Sequence, residues 1–250
     1  MQSLVLEFET NGSGWLGYIA ELPGAFVRGA SEAECLGKVP EEIERYALWL
    51  GTRKPGRIAY QTERVHRSPL CVEDADNEIL LAFDRPRLDA GIFDSWIQVA
   101  DRSGKCFQDL YENVTDATWK DPARLRTTFL GDCPSSIREV FTHVDRVQQY
   151  YLSCLDIPDM LREGSFSDRR SECLDRITEL YESGLDDIRW NSHEGWTIAK
   201  ALRRYIWHDR IHAKSIVRSL RRQIELGLID AYIDPYKFGN VSTAIRTELL

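Results

Sequence analysis

The chain has 250 residues, 40 acidic against 32 basic side chains, a formal net charge of −8 and 43% hydrophobic residues. Such a length builds one large domain or two ordinary ones around a proper core, and the composition is that of a globular protein rather than a disordered or fibrous one. The acidic balance excludes nucleic acid as the main partner. No apolar run approaches a bilayer-spanning length, and MQSLVLEFET lacks a basic start and an apolar signal core, so a cytoplasmic, membrane-free protein is expected.

The first seventy or so residues alternate with a period of two. LVLEFET, WLGYIAEL and GAFVRGA read as three short strands, separated by a turn at Asn11 to Gly14 and by Pro23-Gly24. Ser31 opens a helix with Glu34 three residues on, the spacing of a capping box, and Leu36, Val39, Ile43, Tyr46, Ala47 and Leu50 form its apolar face. Gly51 and Pro55 end that helix, and RIAYQTERVHRS reads as a further strand. Residues 1–75 are therefore expected to form a small α+β module, a sheet with a helix laid on it. The exposed edge of such a sheet accepts an added strand, which makes a protein partner of this module plausible.

This stretch resembles the HicB-like antitoxin module. The likeness lies in the run from Trp15 to Ala25 (WLGYIAELPGA), then Gly29, Ser31-Glu32-Ala33-Glu34 and the helix after them. The resemblance implies a sheet-plus-helix fold and a role in docking a protein partner, since antitoxins of that family bind a small toxin ribonuclease. No helix-turn-helix or ribbon-helix-helix segment follows the module, so a docking or scaffold role is the property carried over, not repression.

Asp74 to Asn77 is a polar, acidic break, and residues 76–82 read as a linker. Beyond it the period becomes helical, with four long helices expected at about Leu88 to Trp119, Ser136 to Leu155, Asp168 to Ile188 and Trp196 to Leu226. The expected architecture is thus multidomain, with the α+β module followed over residues 83–250 by an all-α four-helix bundle, whose end the tail AYIDPYKFGNVSTAIRTELL would cover. Six scattered cysteines without a CxxC pair read as small buried thiols rather than a disulfide framework.

Three of the five histidines fall on inward seams of two of these helices. His208 and His212, four apart, share one helical face with Ile198, Ala201, Tyr205, Ser215 and Ser219; His143 shares another with Val140, Val147, Tyr150 and Cys154. A single inward histidine is usually a core residue satisfied by a hydrogen bond. Three converging on one interior read as a metal site. The basic side chains of the last helix, from Lys200 to Arg222, read by default as a solvated face, and Asp209 as a surface charge. Arg204 is set apart because it lies one turn before His208 and can hold an anionic group of a bound cofactor beside the metal. His193, next to Glu194, is a lesser candidate for the pocket, and His66 reads as a surface strand residue.

The helix opened by Ser135-Ser136-Ile137 and carrying His143, with Trp196-Thr197-Ile198 leading through Leu202 to His208 and His212, resembles the DinB/YfiT-like metalloprotein superfamily over about Phe83 to Leu250. The resemblance implies a three-histidine metal site at His143, His208 and His212. It also implies reactions such as transfer of a low-molecular-weight thiol to an electrophile, or hydrolysis or isomerisation of a small substrate. Three imidazoles suit zinc, nickel, copper or iron and leave a coordination position open. The sequence therefore points to a metal-dependent enzyme with a divalent ion, of which zinc, nickel and iron are the candidates, and with or without a thiol cofactor. The alternative is a non-catalytic, metal-stabilised interaction protein that docks partners through the HicB-like module. Catalytic residues are not named by the sequence, and a homodimer is compatible with it.

Overall fold

Continuous burial from Leu6 to Thr10 along the first strand shows that the N-terminal region is a sheet with two covered faces. The computed structural model describes residues 3–53, 58–122, 125–128, 131–158 and 163–239. Strand β1 (Ser3–Thr10) pairs antiparallel with β2 (Trp15–Ile19), and β2 antiparallel with β3 (Phe26–Gly29). Asn11 makes the first turn, its side-chain oxygen accepting the N–H groups of Ser13 and Gly14. Helix α1 (Glu32–Leu50) starts where the Ser31 side chain accepts the N–H of Glu34, and ends at Gly51, whose φ of 70° suits a glycine. This helix is the crossover that lets β4 (Ala59–Arg67) join β1 in parallel, giving the order β3-β2-β1-β4. Pro55 lies outside the described residues.

Helices α2 (Ala90–Glu112), α3 (Ile137–Ser153), α4 (Phe166–Glu182) and α5 (Ile198–Glu225) follow. Capping boxes at Ser136/Glu139 and Ser165/Asp168 start α3 and α4. Helix α2 stops at Glu112, short of the expected Trp119. After it, the Asp116 carboxylate accepts the backbone N–H and hydroxyl of Thr118, a local alternative to helical bonding. Helix α4 stops at Glu182, and Gly184 follows with a φ of 74°.

The expected all-α four-helix bundle is not what residues 83–250 form, and the fold is mixed α/β. Two hairpins lie between the helices: β5 (Thr127–Thr128) with β6 (Gly131–Asp132), and β7 (Arg189–Asn191) with β8 (Glu194–Trp196). The core is also continuous from sheet to helices. Leu6, Phe8, Ile19 and Val27 of the sheet share one buried cluster with Val39 and Tyr46 of α1, Phe107 of α2, Val144 of α3 and Leu202 and Ile206 of α5. On the other face of the sheet, Leu16, Tyr18 and Phe26 cluster with Val72, Leu81 and Trp207. The physical reason is that α5 is buried on every side over its first four turns, so packing against helices alone would leave one side of it wet.

The same burial overturns the reading of the basic residues of α5 as a solvated face. Lys200, Arg203 and Arg210 are all fully buried, paired with Glu194, Asp84 and Glu42 respectively. Asp84 takes Arg203 through two bonds, of 2.8 Å to Nε and 2.6 Å to Nη2. Buried charges must be paired, and here the partners come largely from segments that precede the helices. The tail contributes too. Tyr236 stacks on Trp49 with ring centroids 5.4 Å apart and hydrogen-bonds Ser103, whereas residues 240–250 lie outside the described residues. Among the described residues no helix is long and apolar enough to cross a membrane.

Candidate metal centre

Helix α3 packs along α5, and this contact brings the three histidines together. The capping box at Ser136 sets the rotation of α3, so that Val140, His143 and Val147 fall on one side. That row was expected to face the core. It lines a cavity instead, with Val140 buried and His143 and Val147 half-buried, while Val144, Gln148 and Leu152 of α3 are buried away from that cavity. His208 is buried, and His143 and His212 are half-buried at the cavity wall. The cavity has a volume of about 1340 Å³, and Trp15, Phe26 and Arg28 of the sheet also line it.

The geometry is compatible with a shared cation. Nε2 of His208 lies 3.1 Å from Nε2 of His143 and 3.1 Å from Nε2 of His212. A ring nitrogen carries one N–H or one in-plane lone pair, so the His208 atom cannot make a good hydrogen bond to both neighbours. Metal–nitrogen bonds of about 2.0–2.1 Å would place donors at this spacing roughly 100° apart, between the octahedral and tetrahedral angles. Protons are the poorer candidates. Burial, then the neighbouring His212 and His143, hold His208 well below the ordinary histidine value. Burial, then His143, pushes His212 down to about 3, and burial lowers His143. Neutral imidazoles are the form that donates an electron pair to a metal. The three side chains therefore form a site that can hold a divalent metal ion.

Arg204 lines the same cavity one turn from His208. Its Nη1 donates to the backbone oxygen of Asn77 at 3.0 Å and to the Asn77 side-chain oxygen. The rings of Trp207, Tyr151 and Trp196 lie 4.8, 5.5 and 5.9 Å from its guanidinium carbon. The other candidates are elsewhere. His193 sits on the β7–β8 turn, 77% exposed and 2.6 Å from Glu78, and does not reach the triad. His66 on β4 bonds Glu7 at 2.6 Å. Trp196 and Tyr205 are core residues, and Trp190 is 64% exposed.

Sequence reasoning missed Asp209. It is fully buried rather than a surface charge, and it takes the fork of Arg170 from α4 through bonds of 2.7 and 2.9 Å. Arg170 in turn bonds Gln148 of α3 and the backbone of Ala100 on α2, so one guanidinium ties together the helices behind the triad. The signal was present: Leu202, Ile206, Ala213 and Ile216, spaced three, four and seven residues from Asp209, put apolar groups on its own face of α5, which marks that face as one without water. Asn77, in the stretch read as a linker, was missed because nothing local marks it. Compared with known proteins, the chain significantly matches no family model, no curated protein and no solved structure.

Proposed function

We propose that the chain is a metal-dependent enzyme of the DinB-like kind, holding zinc, nickel or iron through His143, His208 and His212 and acting on a small molecule. The observation that carries this reading is the convergence of three neutral imidazoles on a cavity wall. Structural zinc sites are usually closed by four protein ligands, whereas the described residues offer three here. When bound, such a cation lowers the pKa of water toward neutrality or holds a low-molecular-weight thiol as thiolate, which supports hydrolysis or thiol transfer to an electrophile. The chain supplies the rest. The Arg170–Asp209 pair braces α3 and α4 against α5, Tyr151 and Trp207 give the cavity aromatic walls, and residues of the sheet line it as well.

Metal analysis of purified protein loaded with zinc or nickel tests the reading. About one equivalent is expected in wild type and a small fraction of that in His212→Ala. Near-zero metal in both would sink it. Turnover of model electrophiles and esters, with and without added thiol, then separates thiol transfer from hydrolysis.

A second reading has its own support in β4, an edge strand whose side chains are mostly exposed and which can take an added strand from a partner protein. If it holds, a partner that co-purifies with the full chain should be lost on Val65→Pro. Retention of that partner would count against it.

A further inference from the structure

We infer that the substrate is a small organic acid whose carboxylate is held by Arg204 while its reacting centre lies at the three histidines. This rests on the enzyme reading above and names the substrate class for that site. The first observation is charge pairing along α5. Lys200, Arg203, Arg210 and Lys214 are each ion-paired with a carboxylate of the protein. Arg204, between them, has neutral partners, the two oxygens of Asn77 and the Tyr151 hydroxyl, and among the described residues no carboxylate is ion-paired with it. The carboxylates whose field reaches it are otherwise placed: Glu194 is held by Lys200, Asp76 accepts the backbone N–H of Cys71, and burial pushes Glu9 up to about 7. The second observation is an orphan donor, since Nε of Arg204 is buried without a hydrogen-bond partner. A largely enclosed guanidinium with no counter-charge is costly unless a ligand completes it.

Position and chemistry define the ligand. The three surrounding rings and the Asn77 bonds fix the guanidinium in place before any ligand arrives. Arg204 and His208 are one helical turn apart, about 6 Å along the axis, so acid and reacting atom belong to one small molecule. Val140, Val147 and Ile211 line the cavity beside the triad and suit an apolar body. A single guanidinium matches the one charge of a carboxylate. A phosphate would call for more cations, yet on the same cavity Lys38, Arg45, Arg126 and Lys214 are paired with Glu34, Glu41, Asp74 and Glu42. Arg28 donates to the backbone oxygen of Glu73, and Arg221 donates to the Tyr232 hydroxyl and the backbone oxygen of Phe238.

The test titrates succinate, and in a parallel arm inorganic phosphate, into the full chain in chelator-treated and zinc-loaded forms. Tryptophan fluorescence reports binding, because Trp196 and Trp207 flank Arg204. Saturable succinate binding is expected in both forms, weakened roughly tenfold or more in Arg204→Met and several-fold in Arg204→Lys, with zinc occupancy unchanged in both variants. Succinate should also slow phenylglyoxal modification of Arg204 in wild type, read by peptide mass spectrometry, an arm that requires no variant to fold. Four results overturn the inference: no saturable binding at about 50 mM succinate, equal binding by wild type and folded Arg204→Met, no protection of Arg204, or tighter binding of phosphate than of succinate. The two readings fail separately. Zinc absent from wild type with Arg204-dependent succinate binding retained removes the metal and leaves the acid subsite, and the reverse pattern removes only the subsite.

Discussion

Replacing His212 by alanine should flatten the acid limb of the stability curve of the metal-free protein. An imidazole whose pKa falls on folding binds more protons in the unfolded chain. It therefore costs the fold nothing above its unfolded value of about 6.5 and destabilises progressively as the pH drops below it. Burial, then His143, brings the folded value for His212 to about 3. At pH 5 the loss from this group is then at most about 2 kcal/mol, at about 1.4 kcal/mol for each pH unit below 6.5. His208 and His143 shift in the same direction, and removing His212 also eases His208, on which it acts directly. Glu9 works the other way. Burial raises it to about 7, so its contribution is complete below the ordinary glutamate value and is lost as the pH climbs toward 7. Because Glu9 is present in both proteins, the difference between wild type and His212→Ala isolates the imidazoles. Urea unfolding with chelator present at pH 5, 6, 7 and 8 measures that difference. The gap between the two proteins should move by about 2 kcal/mol in favour of the variant from pH 7 to 5. A gap constant to within about 0.5 kcal/mol would mean that the imidazoles protonate freely in the folded chain, and the argument from their neutrality would fail. With zinc added at about a hundred times its dissociation constant, wild type should gain about 2.7 kcal/mol and the variant almost none.

Asp209→Asn leaves the Arg170 guanidinium buried without its counter-charge. A loss of about 3–5 kcal/mol is expected in denaturant unfolding, and a change under about 1 kcal/mol would show the pair to be solvated. Gly24→Ala should be strongly destabilising, by about 2 kcal/mol or more, because its φ is 77° and an added Cβ would lie 2.4 Å from Ile206 and 2.7 Å from the backbone of Trp207. An unshifted melting temperature would mean that the sheet does not press on α5 there. Glu9→Gln removes a carboxyl that burial raises to about 7 and whose Oε1 has no partner. Its benefit should grow between pH 5 and 8 to at most about 3 kcal/mol, and a pH-independent difference between the two melting curves would refute the cause.

The local elements were largely legible because their signals are local. Ser31 with Glu34 and the Asn11 turn each satisfy their own backbone donors within four residues, and the structure has them as the sequence read. The helix start read at Ser136 is likewise fixed locally, by a capping box with Glu139. Four apart on one helix, His208 and His212 had to share a face, and the seam through His143 placed that residue on the facing helix. Apart from the early ends of α2 and α4, which have local causes, the failures concern partners distant along the chain. Asp84 lies 119 residues from Arg203, and Glu42 lies 168 residues from Arg210. A run of basic side chains looks the same in sequence whether water or a carboxylate surrounds it. That is why α5 read as half solvated and residues 83–250 as a separate bundle.

The sequence by itself determined where strands and helices begin, which face of each is apolar, and that three imidazoles can approach one another. Those properties depend on periods of two and 3.6 and on caps a few residues long. Only the tertiary structure decided that the sheet and the helices share one core, that the His143 row faces a cavity, and that Arg204 stands without a carboxylate among paired neighbours. The difference lies in the range of the forces. Local hydrogen bonds and side-chain direction are set by adjacent residues, whereas burial and charge pairing are set by whichever distant surface the folded chain brings into contact.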